Sequence, residues 1–178
     1  SEECVIPALK AKATCNHQHP ISASLSRPFL AKLAVQVAKA HGCHIILHGA
    51  NQAQNSLRRF NGAIATLPFQ GVFGSPFEED CISRQEKIAY LAKYNIEFNK
   101  DKSISEDTNF WCREIESGQL DNIESLDIPE SLFKLTSYSP KTQAQDYMIQ
   151  FREAIPISVN QKTFNFVELV TLLNKELG

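Results

Sequence analysis

The amino-acid sequence predicts an α/β fold, with helices crossing over a parallel sheet, followed by a shorter α+β region. Three observations lead to this prediction. Helical and strand patterns alternate within about 70 residues of the first half, which is the rhythm of an open α/β sheet. The first strand pattern, CHIIL, is continuously apolar, as expected of a parallel strand that is buried on both faces. After the charged run NKDK the regular alternation is lost.

The first predicted helix occupies residues 26–43, SRPFLAKLAVQVAKAHGC. Pro28 lies near its start and Gly42 near its end, which are the positions that these residues prefer at helix termini. Its apolar residues recur at helical spacing: Leu30, Leu33, Ala34, Val37 and Ala38. The strand CHIIL follows at residues 43–47, and the polar run HGANQAQNSLRR begins at its carboxyl end.

Two more helices and two more strands complete the first region. A helix is predicted around residues 55–67, and GVFG at residues 71–74 supplies a strand. Ser83 and Glu86 have the spacing of a capping box, which predicts the start of the helix SRQEKIAYLAKYN. Residues 96–98 are predicted to form a third short strand.

The α+β region is predicted to form a separate domain. We place residues 1–99 in the first domain and residues 100–178 in the second. DYMIQF at residues 146–151 and IPISVN at residues 155–160 have strand patterns, and Asn165 has the position of a cap before FVELVTLLNKEL. So small a sheet has little to pack against, which predicts an unfinished second domain.

Composition disfavours several functional classes. The 18 basic and 20 acidic residues give a formal charge of -2 without a concentrated basic face, which argues against a nucleic-acid partner. The five cysteines are scattered and form no CxxC pair, which argues against a disulfide framework and favours a reducing compartment. No apolar run approaches the roughly 18 residues of a membrane helix, and no signal-peptide pattern is visible. We therefore expect a cytoplasmic protein with no membrane partner.

The loop after the first strand is the first candidate binding site. Ligands of open α/β sheets bind beyond the carboxyl ends of the strands, where HGANQAQNSLRR lies. Gly49 would let a ligand approach the backbone, Asn51 and Asn55 carry amides, and Arg59 can hold a carboxylate. A solvated helix cap explains the same residues, so both interpretations stay open.

Serine-rich segments provide further candidates. HPISASLSRP, residues 19–28, places Ser24 and Arg27 before a helix, where free N–H groups favour an anion. A serine cap beside a solvated arginine is the alternative explanation. The histidine spacings predict no metal site. The chain also lacks the GxSxG, GxGxxG and GxxxxGK[ST] patterns.

Five collinear segments resemble argininosuccinate synthases, and together they extend over essentially the whole chain. They are PALKA (residues 7–11), HPISASLSRPFLAK (19–32), LHGANQAQNSLRRF (47–60), SEDTNFWCREIESG (105–118) and IPISVNQKTFNFVELVTLLNKELG (155–178). The resemblance implies an adenine nucleotide alpha hydrolase-like domain with a parallel sheet, followed by part of an α+β synthetase domain.

The resemblance also implies site residues. Ser24 and Arg27 match the serine and arginine of the family's SLxRP segment, in which the serine contacts citrulline. Gly49 matches a glycine near the nucleotide, and Asn55 matches an asparagine that binds aspartate and citrulline. Arg59 matches a citrulline-binding arginine. Ser105 matches a citrulline-contacting serine.

Several positions depart from the family pattern H-G-x-T-G-K-G-N-D-Q-x-R-F. Asn51 stands at the threonine, QAQ at residues 52–54 replaces glycine-lysine-glycine, and Ser56 stands at the aspartate. These changes remove backbone freedom and a positive charge beside anionic ligands. His19 replaces a tyrosine, and Glu114 replaces a second citrulline-binding serine. A carboxylate at Glu114 would repel a carboxylate substrate or recruit an amine.

By this resemblance the complete protein is expected to be an ATP-dependent ligase of arginine biosynthesis. Such a ligase joins citrulline and aspartate through a citrullyl-adenylate, releases AMP and pyrophosphate, uses ATP with Mg²⁺, and forms a homotetramer or another homo-oligomer. The family's SGGxDS phosphate loop does not occur in these 178 residues and is expected to precede them, so we expect this polypeptide alone to be inactive. A non-catalytic amino-acid-binding or assembly module and a ligase with an altered amino-acid substrate remain as alternatives.

Overall fold

The structure, a computed structural model, describes residues 2–20, 22–79, 81–97, 104–134, 136 and 143–177. The chain packs into two compact units, one formed by Ile21–Glu116 and the other by Ser1–Pro20 together with Ser117–Gly178. The predicted domain boundary at residues 99 and 100 is a different division of the chain, and it lies outside the described residues.

Five helices and seven strands are present among the described residues. The helices are α1 (Val5–Lys10), α2 (Ser22–Ala40), α3 (Asn55–Ala65), α4 (Arg84–Ala92) and α5 (Phe166–Leu177). The strands are β1 (Ile45–Leu47), β2 (Val72–Gly74), β3 (Ser105–Thr108), β4 (Arg113–Glu116), β5 (Ile149–Arg152), β6 (Ile155–Val159) and β7 (Lys162–Thr163). Short 3₁₀ turns occur at Gly118–Asp121 and Glu130–Leu132. None of these helices is both long and apolar enough to cross a membrane.

The sheet of the unit Ile21–Glu116 confirms the α/β prediction. Strands β1 and β2 pair in parallel, with Ile45 opposite Val72 and Leu47 opposite Gly74. Helices α2 and α3 pack on one face of this sheet, where buried Ala31, Val35 and Ile64 form the core together with partly buried Ile46, Phe60, Ala63, Leu67, Phe69 and Phe73. One face of the β1–β2 sheet is therefore covered by α2 and α3.

The other face of the β1–β2 sheet is open. Ile45, Leu47 and Val72 are 61%, 68% and 69% exposed, respectively. The prediction that CHIIL is covered on both faces is therefore wrong for the described residues. A continuous apolar run shows that both faces can be buried, but it does not specify which elements cover them.

Helix α2 begins earlier than predicted, at Ser22, so Pro28 lies inside it and not at its start. Its buried face also differs from the predicted apolar stripe. Ala31, Val35 and Ala38 are buried, whereas the larger residues Leu30, Leu33 and Val37 are more than a third exposed. Small side chains allow α2 to approach the sheet and α3 closely, and this close packing determines which side of the helix faces the core.

The predicted capping box at the start of α4 is confirmed. The Ser83 hydroxyl accepts a hydrogen bond from the Glu86 amide, and the Glu86 carboxylate accepts one from the Ser83 amide. These bonds hold the pKa of Glu86 below its ordinary value. The strand predicted at residues 96–98 is wrong for Ile96 and Glu97, which are not in a strand, while Phe98 lies outside the described residues.

An antiparallel hairpin of β3 and β4 completes this unit. Its register places Ser105 opposite Glu116, Asp107 opposite Glu114 and Thr108 opposite Arg113. The sequence did not predict these strands. Nearly all of their residues are polar, so no alternation of apolar and polar residues marks a strand there.

The other unit contains a three-stranded antiparallel sheet in the order β5-β6-β7. The observed β5 and β6 fall within or near the predicted ranges. Asn165 caps α5 as predicted, because its side chain accepts a hydrogen bond from the Glu168 amide. Leu169 of α5 is fully buried, so the helix supplies the packing that the small sheet needs.

Candidate functional site

The start of α2 places serines on opposite sides of the helix. Ser22 and Ser26, four residues apart, are fully buried, whereas Ser24 between them is exposed. Pro28 has no N–H and cannot donate to the carbonyl of Ser24, which is its usual i−4 partner. The exposed side chain and the backbone carbonyl of Ser24 are therefore both suited to meet a ligand.

Arg27 joins three separate segments of this unit. Its Nη1 donates to the Ser26 hydroxyl at 3.0 Å and its Nε donates to the Ser56 hydroxyl of α3 at 3.4 Å. Its Nη2 forms an ion pair with Asp107 of β3, at 2.5 Å from Oδ2. The side chains of this pair are 21% and 31% exposed, so the charges are only partly screened by water. Arg27 thus holds α2, the start of α3 and the hairpin together.

Glu114 of β4 makes a second connection to α2. The Ser22 amide donates to Glu114 Oε1 at 3.3 Å, and the Ser22 hydroxyl donates to Oε2. Phe29 and Phe110 add an edge-to-face aromatic contact with 5.7 Å between ring centroids. Three kinds of interaction, ionic, hydrogen-bonding and aromatic, therefore fix the hairpin against α2.

Cys112 lies beside this connection. Burial raises the pKa of its thiol, and the negative charge of Glu114 raises it further, while a hydrogen bond with Ser22 acts in the opposite direction. The thiol is half-buried. At neutral pH it remains protonated, which makes it a poor nucleophile and a useful reporter of the charge on Glu114.

The hairpin contains a buried indole N–H group and an ion pair of its own. Trp111 Nε1 has no hydrogen-bond partner among the described residues, although the indole N–H is buried. Arg113 pairs with Glu106 through Nε and Oε1 at 2.8 Å. The hairpin therefore carries one ion pair within itself and a second, Asp107 with Arg27, to α2.

A hydrogen-bond chain lies at the carboxyl ends of β1 and β2. His48 Nδ1 accepts from the Ala50 amide at 3.4 Å, so the ring proton is on Nε2, which donates to Asn61 Oδ1 at 2.8 Å. Asn61 Nδ2 then donates to Glu78 Oε2 at 3.3 Å. The His48 ring also packs on Phe60, with 5.1 Å between centroids. No local pattern in the sequence signals this chain of bonds, because Asn61 and Glu78 lie 13 and 30 residues after His48.

The loop after β1 is bonded largely to itself. The Asn51 amide donates to Gln54 Oε1 at 3.3 Å, and the Ala53 amide donates to Asn51 Oδ1 at 3.1 Å. The Gln52 side chain donates to the Glu78 carbonyl. Gly49 is exposed, and a Cβ added to it would meet no atom within 4 Å. The backbone at Gly49 is therefore open to a ligand, whereas backbone N–H groups at residues 51 and 53 are already satisfied by side chains.

Asn55, Arg59 and Ser105 make no side-chain hydrogen bond to the Arg27 network among the described residues. Asn55 is exposed at the first position of α3, Arg59 is half-buried one turn later, and Ser105 is exposed at the start of β3. His19 belongs to the other unit, where it is exposed and its backbone bridges to Cys15. Their roles as ligand contacts stay predictions.

The residues present do not provide a complete site for ATP with Mg²⁺. Among the described residues, no group of three or more His, Cys, Asp or Glu side chains could hold a metal ion. The sequence also contains no SGGxDS loop. The described residues therefore do not by themselves fit ATP with Mg²⁺.

An apolar groove lies apart from the predicted site residues. It has a volume of about 680 Å³ and runs along α4. Its lining includes Phe77, Ile82, Lys87, Tyr90 and Leu91. None of the predicted substrate-binding residues contributes to it.

Comparison with known proteins identifies similarity along the whole chain. Residues 1–97 match the family described as "Arginosuccinate synthase N-terminal HUP domain", and residues 104–178 match "Arginosuccinate synthase C-terminal domain". The chain is 33% identical over 180 residues to the argininosuccinate synthase of Pyrococcus furiosus, covering 100% of this chain and 43% of the relative. It is 33% identical over 181 residues to that of Trichodesmium erythraeum, covering 99% and 45%. The chain thus spans less than half the length of these relatives.

Proposed function

This chain belongs to the argininosuccinate synthase family, and we propose from that premise that it supplies the amino-acid-binding part of a C–N ligase. The proposed reaction joins citrulline to aspartate through a citrullyl-adenylate and releases AMP and pyrophosphate. The complete protein would use ATP with Mg²⁺, act in arginine biosynthesis in the cytoplasm, and assemble as a homo-oligomer. ATP phosphate binding would come from polypeptide outside these 178 residues.

The convergence of three segments on Arg27 carries this proposal. Arg27, Ser56 and Asp107 are distant in sequence but are connected by direct hydrogen bonds. They come from α2, from the start of α3 and from β3, and these three segments also contain the family-matched Ser24, Asn55, Arg59 and Ser105. A binding site built from several segments needs such a connection to hold its side chains in fixed relative positions.

The proposed ligand-contacting side chains lie near the ends of these same segments. Ser24, Asn55 and Ser105 are exposed, and they make no side-chain hydrogen bond to another described residue. Their hydroxyl and amide groups can donate to and accept from the ureido and carboxylate groups of amino-acid substrates. The half-buried Arg59 would supply a bidentate contact to a carboxylate, and the open backbone at Gly49 would border the nucleotide.

Two adjacent arginines permit a matched test. Arg59 is half-buried and has the proposed role, whereas Arg58 is exposed and has none. In the complete gene product, Arg59→Gln is expected to weaken citrulline binding by about tenfold to a hundredfold, the range for loss of a charged hydrogen bond. Arg58→Gln is expected to leave it within about twofold. Calorimetry measures binding, and pyrophosphate release from citrulline, aspartate and ATP measures the reaction.

The absence of both citrulline binding and pyrophosphate release in the complete gene product would contradict the proposed ligase. Equal effects of the two arginine substitutions would contradict the role of Arg59. Loss of pyrophosphate release alone, with citrulline binding retained, would favour a non-catalytic amino-acid-binding module.

We propose as the second candidate a non-catalytic amino-acid-binding module, and the self-bonded loop after β1 favours it. Asn51 and Gln54 occupy backbone N–H groups with their own side chains. Glycines at residues 52 and 54 and a lysine at residue 53, as in the family pattern, would leave such groups free for an anion. Replacing Asn51→Thr, Gln52→Gly, Ala53→Lys, Gln54→Gly and Ser56→Asp together tests it. Pyrophosphate release that is absent from the wild-type protein and appears in the replaced protein supports the module, and release that is already present in the wild-type protein argues against it.

A further inference from the structure

His48, directly after β1, is held by two consecutive residues of α3. Its ring packs on Phe60, with 5.1 Å between centroids, and its Nε2 lies 2.8 Å from Asn61 Oδ1. Phe60 packs against the buried core between α2, α3 and the sheet, and Asn61 is half-buried. The face and one edge of the imidazole are therefore both fixed by a helix that packs on the sheet.

The opposite edge of the ring holds the backbone of the loop. His48 Nδ1 accepts a hydrogen bond from the Ala50 amide at 3.4 Å, which leaves the ring proton on Nε2 for donation to Asn61. Ala50 is buried, whereas the preceding Gly49 is exposed. The Gly49 N–H makes no hydrogen bond to any other residue that the structure describes. The amide of Ala50 is thus fixed by the ring, and the amide of Gly49 is available to a ligand.

Glu78 connects the same helix to the loops that follow both strands. Its Oε2 accepts a hydrogen bond from Asn61 Nδ2 at 3.3 Å, and its backbone carbonyl accepts one from the Gln52 side chain. Glu78 follows β2 in the chain, and Gln52 follows β1. Asn61 therefore makes a hydrogen bond toward each strand end, as the acceptor from His48 and as the donor to Glu78.

These contacts lie at the carboxyl ends of two parallel strands, which is the edge at which open α/β sheets bind their ligands. A Cβ added to Gly49 would meet no atom within 4 Å, so the space beside this backbone is open. We propose that Asn61 is a positioning residue, which acts through the His48 ring to fix the backbone of residues 49 and 50. The Gly49 N–H is thereby oriented to donate to an anionic oxygen of an amino-acid substrate. This last step rests on the proposed function, whereas the control of the loop by Asn61 does not.

Hydrogen exchange and calorimetry on the complete gene product measure the two steps separately. Mass spectrometry of peptides from residues 48–54 reports amide exchange in the loop without any ligand. Asn61→Leu removes both hydrogen bonds of the side chain, and it is expected to raise the exchange rate of the Ala50 amide by about tenfold. Calorimetry with citrulline and with aspartate, in separate titrations, measures binding. At least one of the two Kd values is expected to rise by about threefold to tenfold, because the loop must then be ordered by the ligand.

A cycle of two substitutions tests whether Asn61 acts through His48. His48→Phe keeps an aromatic ring beside Phe60 and removes both ring nitrogens. With His48→Phe already present, Asn61→Leu is expected to change the loop exchange rate by less than about twofold. Equal effects of Asn61→Leu in the two backgrounds would overturn the positioning role, because the helix would then act on the loop by another route.

A paired substitution provides a rescue. Asn61→Asp alone keeps an acceptor for His48 Nε2 but places a second carboxylate beside Glu78, and it is expected to raise loop exchange by about tenfold. Adding Glu78→Gln restores a donor and an acceptor between the two positions, and exchange is expected to return to within about threefold of the wild-type rate. Glu79→Gln is the matched control at an exposed neighbouring glutamate, and it is expected to change neither exchange nor binding by more than about twofold.

The outcomes separate this inference from the proposed function. Unchanged loop exchange in the Asn61→Leu protein would overturn the positioning role. If loop exchange rises and neither Kd changes, the inference is overturned because the fixed backbone does not serve the substrates, and the proposed function stands. If neither amino acid binds the wild-type protein, the proposed function is contradicted, and the exchange rates still decide whether Asn61 controls the loop. Circular dichroism identifies a variant that fails to fold, and if Asn61→Leu does so, the comparison of Asn61→Asp with the paired substitution decides.

Discussion

The contact between α2 and the hairpin differs sharply from the loop after β1, although the family-matched residues are divided between them. In the first region an ion pair, two buried serines and an aromatic contact connect elements from different parts of the unit. In the second, short-range amide bonds connect residues two or three positions apart, and most side chains are exposed. The contact between α2 and the hairpin therefore needs more interactions to be broken before it can move, whereas the loop can rearrange around a ligand at a lower cost in free energy.

The largest change in stability is expected from a substitution in the β1–β2 sheet, which the loop after β1 follows. A Cβ on Gly71 would overlap the carbonyl oxygen of His44 and lie 2.8 Å from its carbonyl carbon. Gly71→Ala is expected to lower the free energy of unfolding by about 2–3 kcal/mol, because β1 and β2 must separate. Urea unfolding followed by circular dichroism measures this.

Gly62 is the control for that prediction. It lies inside α3, and a Cβ there meets no atom within 4 Å. Gly62→Ala is expected to stabilise the protein by about 0.5–1 kcal/mol through helix propensity. If Gly71→Ala were as well tolerated as Gly62→Ala, the close approach of the two strands would be wrong.

The next largest change in stability is expected at the contact between α2 and the hairpin. Asp107→Asn removes the charge that pairs with Arg27 while preserving the size of the side chain. It is expected to cost about 1–2 kcal/mol, a value between those of exposed and buried ion pairs because both side chains are partly exposed. Urea unfolding measures the loss, and Glu124→Gln, a change at an exposed glutamate of the other unit, is its control. A loss no larger than that of the control would show that the ion pair does not stabilise the hairpin contact.

A smaller effect is expected in the loop after β1. Asn51→Ala removes one hydrogen bond, from the Ala53 amide, in an exposed segment. It is expected to change the free energy of unfolding by at most about 0.5 kcal/mol, because water replaces the lost acceptor. The same unfolding measurement applies. A loss comparable to that of Asp107→Asn would remove the contrast between the two regions.

The last prediction concerns the pH dependence of Cys112. Burial and the charge of Glu114 raise the pKa of this thiol above the ordinary value of 9.0, so the folded protein retains the proton longer than the unfolded chain does. This contribution to stability is present below the ordinary value and is lost as the pH rises through the folded-state pKa. Alkylation by iodoacetamide, followed by mass spectrometry, should therefore reach its half-maximal rate at a higher pH for Cys112 of the folded protein than for Cys112 of the urea-unfolded chain.

The substitution Glu114→Gln tests whether the charge of Glu114 contributes to the raised pKa of Cys112. It is expected to move the Cys112 alkylation profile of the folded protein to lower pH, because the negative charge of Glu114 is one cause of the raised pKa. An unchanged Cys112 profile would show that Glu114 does not influence the thiol.

Local features of the fold were predictable from the sequence. The capping box of Ser83 and Glu86, the cap at Asn165 and the alternation of helices with parallel strands all depend on neighbouring residues. The start of α2 was not predicted, because serines before a proline resemble a cap and because the contacts that extend the helix to Ser22 come from β4, 92 residues away.

The candidate site was predictable only in part. Resemblance identified Arg27, Asn55, Arg59 and Ser105, but residue types alone left a helix cap as an equal explanation. The partners of these residues depend on tertiary packing: Arg27 meets Asp107 across 80 residues, and His48 meets Asn61 without a local pattern. A resemblance therefore names candidate residues, whereas the contacts show which of them are held in place.

The open face of the β1–β2 sheet has a consequence for the behaviour of the polypeptide in solution. Ile45, Leu47 and Val72 form adjacent exposed apolar positions on two paired strands. Surfaces of this kind bind hydrophobic dyes and promote colloidal association. We expect the 178-residue polypeptide expressed by itself to enhance the fluorescence of anilinonaphthalene sulfonate, and Leu47→Lys to reduce the signal and increase the concentration at which the protein stays dispersed.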